Sequence, residues 1–285
     1  MPIALDEDNA ELQRIEPVLT NLREACDGLK VDFYIIGALA RDIHLKYIND
    51  VGEPRRTRDV DVAVAVEGWD SYDTLRNTLI NDYDYTDRDQ KQRICSPKGI
   101  RLDLIPFGGV ETPTGKVRFP PDDWPEMTVL GLDEARNTTV SLTLKNEASI
   151  EVVSLPALGL LKLIAWDERP QERPQDAQDL CFILRHYFEV ERETIVQEHG
   201  DLFDEDKFDR RLASARAYGR EIATLLKENE TLQDYVLRIL ERETDDVHQS
   251  NLADAMNAAG CHPQYDLRFE SITALLTGVR EGLAE

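Results

Sequence analysis

Cysteine is scarce in this sequence, with only Cys26, Cys95, Cys181 and Cys261 among 285 residues. No two of them form a C-x-x-C pair and no histidine stands near one at metal-ligand spacing, so neither a zinc site nor a disulfide framework is expected. Positive charge is also in short supply, with 33 Lys and Arg against 56 Asp and Glu, a net charge of −23. That balance repels phosphate backbones and anionic lipid, which argues against general DNA binding or membrane attachment as the main task. The N-terminus lacks a basic segment followed by an apolar run, and no unbroken apolar stretch approaches the roughly 20 residues of a membrane span. A reducing cytoplasm is the expected location. The five histidines, His44, His186, His199, His248 and His262, are scattered. They suggest no Ser-His-Asp or Cys-His arrangement and read as surface or packing residues.

What is present is a soluble composition, 41% hydrophobic and 31% charged, enough for one large domain or two modest ones. The acidity is spread along the chain rather than gathered in a tail, as expected of a solvated surface.

Leu12, Ile15, Leu19 and Leu22 recur at helical spacing within residues 9 to 28. Val31 to Ile36 reads as a buried strand that stops at Gly37, and a helix follows from Ala38 to about Tyr47. Asp59 to Val66 alternates strictly, with Val60, Val62, Val64 and Val66 on one face and Asp59, Asp61, Ala63 and Ala65 on the other. This is the pattern of a half-buried strand, and it puts both carboxylates on one side. A helix from Gly68 to about Asn81 and short strands at 93 to 96 and 101 to 107 come next. The proline-rich stretch 108 to 135 reads as an irregular excursion. Residues 137 to 144 and 149 to 153 form a hairpin around Lys145-Asn146-Glu147. From Pro156 onward the pattern is helical, with helices at about 156 to 168, 174 to 188, 206 to 228, 230 to 243, 246 to 259 and 268 to 282.

D-x-D occurs five times, at Asp6/Asp8, Asp59/Asp61, Asp82/Asp84, Asp87/Asp89 and Asp204/Asp206, so the bare pattern says little. Context singles out Asp59/Asp61, the one pair in a strand whose other face is all valine. Charges on a central strand cost several kcal/mol, roughly, unless a cation or hydrogen bonds compensate. Asp103, between Leu102 and Leu104, is a third strand carboxylate, and pairing with an arginine such as Arg101 is its simpler reading. Three converging carboxylates would suit Mg²⁺, with Mn²⁺ as a substitute and two ions as an arrangement able to clamp a phosphoryl or nucleotidyl transfer.

The order of parts resembles the DNA polymerase beta nucleotidyltransferase superfamily, through Ile36-Gly37-Ala38, Asp59-Val60-Asp61-Val62 and Asp103. The surroundings Gly37-Ala38-Leu39-Ala40-Arg41 and Arg56-Thr57-Arg58-Asp59-Val60-Asp61 are similar to the AbiEii-type branch of abortive-infection and MenT-like toxins. So is the later Lys162-Leu163-Ile164-Ala165-Trp166-Asp167-Glu168-Arg169 followed by Asp176-Ala177-Gln178-Asp179-Leu180. The resemblance covers about residues 31 to 185. It implies an α+β nucleotidyltransferase fold, a mixed sheet with flanking helices, over residues 1 to 154, and an all-helical domain over 155 to 285.

It further implies that Asp59, Asp61 and Asp103 hold metal and act in catalysis, and that Gly37, Ala38, Arg41, Arg56 and Lys162 bind the triphosphate of an NTP. Asp176 or Asp179 would serve as a general base or orient Lys162. Each has a plainer alternative. Gly37 can simply permit a tight turn, Arg41 can pair with Asp42 or Glu53, and Lys162 can snorkel to solvent. Asp176 can be a carboxylate favoured by a helix start. Ala38 departs from the branch of the superfamily that places Ser or Gly there, so phosphate would be held by backbone N–H groups alone. The implied reaction transfers NMP to an RNA 3′ end or a protein hydroxyl, with an antitoxin as partner. A catalytically inactive nucleotide-binding or interaction protein on the same fold, or nucleotidyl transfer to a small molecule such as an aminoglycoside, is the alternative.

Overall fold

The computed structural model describes residues 3–4, 10–52, 59–144, 148–203, 208–258 and 260–285. The chain divides into two compact units, Met1–Ser154 and Leu155–Glu285.

In the first unit, β1 (Ile3–Ala4) precedes α1 (Ala10–Leu29), whose Ile15, Leu19, Leu22 and Cys26 are buried at helical spacing. β2 (Asp32–Ile36) runs into α2 (Gly37–Asp42), which passes directly into a π-helical turn at Ile43–Ile48. The single helix expected from 38 to 47 is thus two helical forms in series. β3 (Asp59–Val66) has the expected bounds, with Val60, Val62 and Val64 fully buried. α3 (Trp69–Asp82) buries Tyr72, Leu75 and Leu79 and packs on α1.

The chain continues through β4 (Thr86–Asp87), β5 (Arg93–Cys95) and β6 (Arg101–Gly108). The stretch 108 to 135, expected to be irregular, contains a two-stranded hairpin of β7 (Lys116–Arg118) and β8 (Glu126–Thr128), followed by the short helix α4 (Leu132–Arg136). Its prolines lie outside those elements, so the breaker signal marked their borders and hid the elements between them. β9 (Val140–Thr143) and β10 (Ser149–Val152) pair antiparallel. The expected turn residues Lys145, Asn146 and Glu147 lie outside the described residues.

The main sheet has the order β1-β9-β10-β2-β3-β6-β5-β4 and is mixed. β3 is antiparallel to β2 and parallel to β6. β3 and β6 are therefore central, covered on their valine and leucine face, with Leu102 and Leu104 fully buried.

The second unit is helical. It comprises α5 (Leu155–Glu168), α6 (Pro174–Val190), α7 (Arg192–Glu198), a 3₁₀ turn at Gly200–Phe203, α8 (Arg210–Leu226), α9 (Glu230–Thr244), α10 (Asn251–Ala255) and α11 (Tyr265–Ala284). α5 is apolar almost all round and packs against α6 and α8. α8 starts where the Asp209 carboxylate accepts the Arg211 and Leu212 N–H groups. α10 is shorter than the expected 246 to 259, because Ser250 caps its start by accepting the Ala253 N–H. α8 and α11 approach closely through glycine, and a Cβ on Gly278 would lie 1.9 Å from the Arg216 carbonyl.

Contrary to the sequence expectation, Cys181 of α6 and Cys261 form a disulfide across 80 positions, with Cα atoms 5.9 Å apart, a spacing usual for a bridge. Motif spacing registers only near neighbours along the chain, whereas here the helical packing brings distant positions together. Among the described residues no helix is long and apolar enough to cross a membrane.

Candidate active site

Register decides which side chains meet. Asp61 stands opposite Asp103 in the parallel β3–β6 pair and opposite Ile36 in the antiparallel β2–β3 pair. Asp103 stands opposite Arg93 across β5, and Asp59 opposite Arg101. Directly opposed residues share a face, so one row across four strands reads Arg93, Asp103, Asp61, Ile36, with Gly37 next in the chain. Asp59 and Arg101 form the adjoining row. The three carboxylates picked out by sequence are thus gathered on one face of the central strands.

Opposed like charges in a partly buried sheet repel, and guanidinium groups answer them here. Arg93 holds Asp103 through both oxygens, Nε to Oδ1 and Nη2 to Oδ2, each at 2.6 Å, a two-pronged geometry that only arginine offers. Arg101 donates its Nε–H to Asp59. Asp103 is buried, while Asp59 and Asp61 are half-buried.

Gly37 has φ +69°, and a Cβ built there would sit 2.3 Å from Asp61 Oδ2. The glycine is therefore required twice, by a left-handed backbone and by the carboxylate lying against it. Ala38 follows in the first turn of α2. Arg41 is buried in the same helix and donates Nε–H to Asp42 Oδ1 at 2.9 Å, which is the pairing that the plainer reading offered. Arg56 lies outside the described residues.

In the helical unit, Lys162 of α5 is buried. Its Nζ lies 2.7 Å from Asp176 Oδ1 and 2.9 Å from Asp179 Oδ2, so it does not snorkel. Burial opposes its charge, but Asp179 and Asp176 outweigh that cost and raise the ammonium above the usual lysine range. Asp179 is 2% exposed. The i,i+3 spacing of the two aspartates on α6 lets both face one cation.

A family description reading "Nucleotidyl transferase AbiEii toxin, Type IV TA system" matches residues 22–259. The chain belongs to the AbiEii family. As an AbiEii-family chain it is a nucleotidyltransferase, grouped with the toxins of type IV toxin–antitoxin systems.

The match takes in the aspartate rows, Gly37 and the Lys162 cluster together. No curated protein sequence matches the chain. Solved structures similar to it include an antigenic nucleotidyltransferase-like protein from Paracoccidioides brasiliensis, with 18% identity, a TM-score of 0.40, and coverage of 67% of this chain and 91% of that one. Another is the antibiotic-resistance factor ANT(2'')-Ia, with 13% identity, a TM-score of 0.36, and coverage of 67% and 96%. A CCA-adding enzyme in complex with ATP has 13% identity, a TM-score of 0.31, and coverage of 90% and 66%.

Arg93 is the member of this candidate site that the sequence pattern did not single out. Its one local signal is a cation alternating with Ile94 in a short strand. Its partner becomes visible only with the β5–β6 register.

Proposed function

We propose that the chain is a Mg²⁺-dependent nucleotidyltransferase that moves NMP from an NTP to an acceptor hydroxyl on an RNA 3′ end or a protein. The observation that carries this reading is the row Asp103–Asp61 beside Asp59, with Gly37 pressed against Asp61. The donor set fits a hard cation, being all carboxylate oxygen on one face with no nitrogen or sulfur ligand. Asp59, Asp61 and Asp103 would hold Mg²⁺, or Mn²⁺ in its place, at one or two positions. When bound, the metal would neutralise triphosphate charge and polarise the phosphoryl oxygens.

The chain's own groups account for the remaining work. The Gly37 and Ala38 backbone N–H groups, at the start of α2, would receive phosphate oxygens, and the absence of a Cβ on Gly37 leaves Asp61 in place beside them. Arg56 would add a guanidinium to the triphosphate. Arg41, committed to Asp42, would support α2 and contact phosphate only by changing partner. Arg93 fixes the orientation of Asp103, which would help to activate the acceptor hydroxyl.

In the transfer, the acceptor oxygen bonds to the α-phosphorus, the bond to the β-phosphate oxygen breaks, and pyrophosphate leaves with that electron pair. Positioning and charge neutralisation would supply most of the acceleration. In the helical unit, Lys162 is proposed as a triphosphate contact on its motif, with Asp176 and Asp179 orienting it. An antitoxin is the partner that family membership suggests.

The test is incubation of the chain with each α-labelled NTP, Mg²⁺ and separate pools of tRNA, cell protein and aminoglycosides, beside the Asp59→Asn/Asp61→Asn variant. Label should reach RNA or protein with the parent and not with the variant. Equal labelling by both, or none with any acceptor, would remove the enzymatic reading. Label on an aminoglycoside alone would replace the acceptor.

A further inference from the structure

A second cluster of ligand-bearing side chains lies in the helical unit and belongs to no motif above. His199 closes α7, with its N–H bonded to the Ile195 carbonyl and its own carbonyl accepting from Leu202 N–H. The residue is 7% exposed, and Nε2 lies 2.8 Å from Glu221 Oε1 on α8. Glu198, the preceding residue, is exposed. One ligand atom each from Glu198, His199 and Glu221 fall within 4.8 Å of one another.

The surroundings are anionic. Glu191, between α6 and α7, has its carboxyl pKa raised by burial and by the Glu221 charge, against a hydrogen bond from Thr194. Tyr187 of α6 is 2% exposed and packs edge-on against Tyr218 of α8. Burial first, then the charges of Glu221, Glu191, Tyr218 and Glu198, push that phenol well above its usual pKa. No described lysine or arginine pairs with Glu191, Glu198 or Glu221. Arg220, beside Glu221 in the chain, is engaged by Asp201 at 2.7 and 2.8 Å and by Glu281 at 2.8 Å. Converging carboxylates answered by an imidazole and by no described lysine or arginine are an arrangement that a bound metal ion would relieve.

We infer that Glu198, His199 and Glu221 bind a divalent transition-metal ion, Zn²⁺ foremost. One imidazole with two carboxylates suits that borderline ion, whereas Mg²⁺ favours oxygen ligands alone. Zinc ligands sit at about 2.0–2.2 Å in a tetrahedron, so two of them on one ion are roughly 3.3–3.6 Å apart. His199 Nε2 and Glu221 Oε1, now 2.8 Å apart, would exchange their hydrogen bond for the ion, and exposed Glu198 would turn toward it as the third ligand. The ion would tie the end of α7 to α8 and brace the connection between them.

The test is calorimetric titration of the chelator-treated full-length chain with Zn²⁺, using four variants whose folding is checked by far-UV circular dichroism. The parent should bind one ion at a site that His199→Gln and Glu198→Gln each weaken at least tenfold. His186→Gln and Asp59→Asn/Asp61→Asn should leave that site unchanged. Glu198 is exposed and has no described partner, so its variant keeps the test valid should His199→Gln fail to fold. Absence of Zn²⁺ binding, binding unaffected by Glu198→Gln, or binding lost only in the double aspartate variant would each overturn the inference. The double aspartate variant also separates this site from the proposed catalytic one.

Discussion

Replacing Gly37 by alanine tests the aspartate site at the point where backbone and carboxylate meet. A non-glycine residue at φ +69° costs roughly 1–2 kcal/mol in the left-handed region. The added Cβ would also lie 2.3 Å from Asp61 Oδ2. That is about 1 Å inside ordinary contact, so the carboxylate must shift by roughly that much, a displacement able to lower a rate about 100-fold. Gly99 separates the two effects. It has φ +79°, and a Cβ added there would meet nothing within 4 Å, so Gly99→Ala bears the backbone strain without the collision.

Both variants should therefore melt a few degrees below the parent, at about 2–4 °C per kcal/mol for a unit of this size. Only Gly37→Ala should lose Mg²⁺-dependent NTP binding, read by thermal shift, and NMP transfer. Full NTP binding by Gly37→Ala at a lowered melting temperature would show that Gly37 is only a turn residue, and the cradle would be wrong.

Lys162→Met takes the ammonium from Asp179 and Asp176, with Arg173 remaining 3.7 Å from Asp176, and breaking a buried pair in this way costs about 3–5 kcal/mol. The double variant Lys162→Met/Asp179→Leu should regain part of the loss in urea denaturation, because it removes one uncompensated charge. His44, buried with Nε2 2.7 Å from the Val153 carbonyl, has its pKa lowered by burial, against the Val153 hydrogen bond, which raises it. The unfolded chain then binds the proton more readily. The stability that this group contributes is present above about pH 6.5 and falls as pH drops below it, by at most about 1.4 kcal/mol per pH unit. His44→Gln should flatten the part of the acid slope due to this residue when urea midpoints are compared at pH 7.5, 6.5 and 5.5. An unchanged slope would refute the assignment. Gly278→Ala, whose Cβ meets the Arg216 carbonyl at 1.9 Å, should force α8 and α11 apart and lower the melting temperature more than Gly28→Ala, whose Cβ meets nothing within 4 Å.

Much of this architecture was legible because its signals are local. Four valines alternating with Asp59, Asp61, Ala63 and Ala65 announce both a strand and the shared face of its carboxylates, and β3 has the bounds that the pattern implies. Gly37 at a strand-to-helix junction is equally local. Partnership across strands is not. That Asp103 takes Arg93 and Asp59 takes Arg101 depends on the β5–β6 and β3–β6 registers, which no single segment encodes. Cys181 and Cys261 meet, and His199 reaches Glu221, only because helices pack. The β7–β8 hairpin was obscured by prolines that border its short strands.

The placement of Asp61 and Asp103 on strands with neighbours on both sides also bears on how the site responds to fluctuation. Their backbone amides lie within the paired core of the sheet, a region expected to exchange hydrogen with solvent only through large-scale opening. Inactivation by local fraying is therefore disfavoured. Ligands and partners would control access to an already assembled set of carboxylates, and proteolytic nicking of exposed loops should leave that set intact until the sheet itself opens.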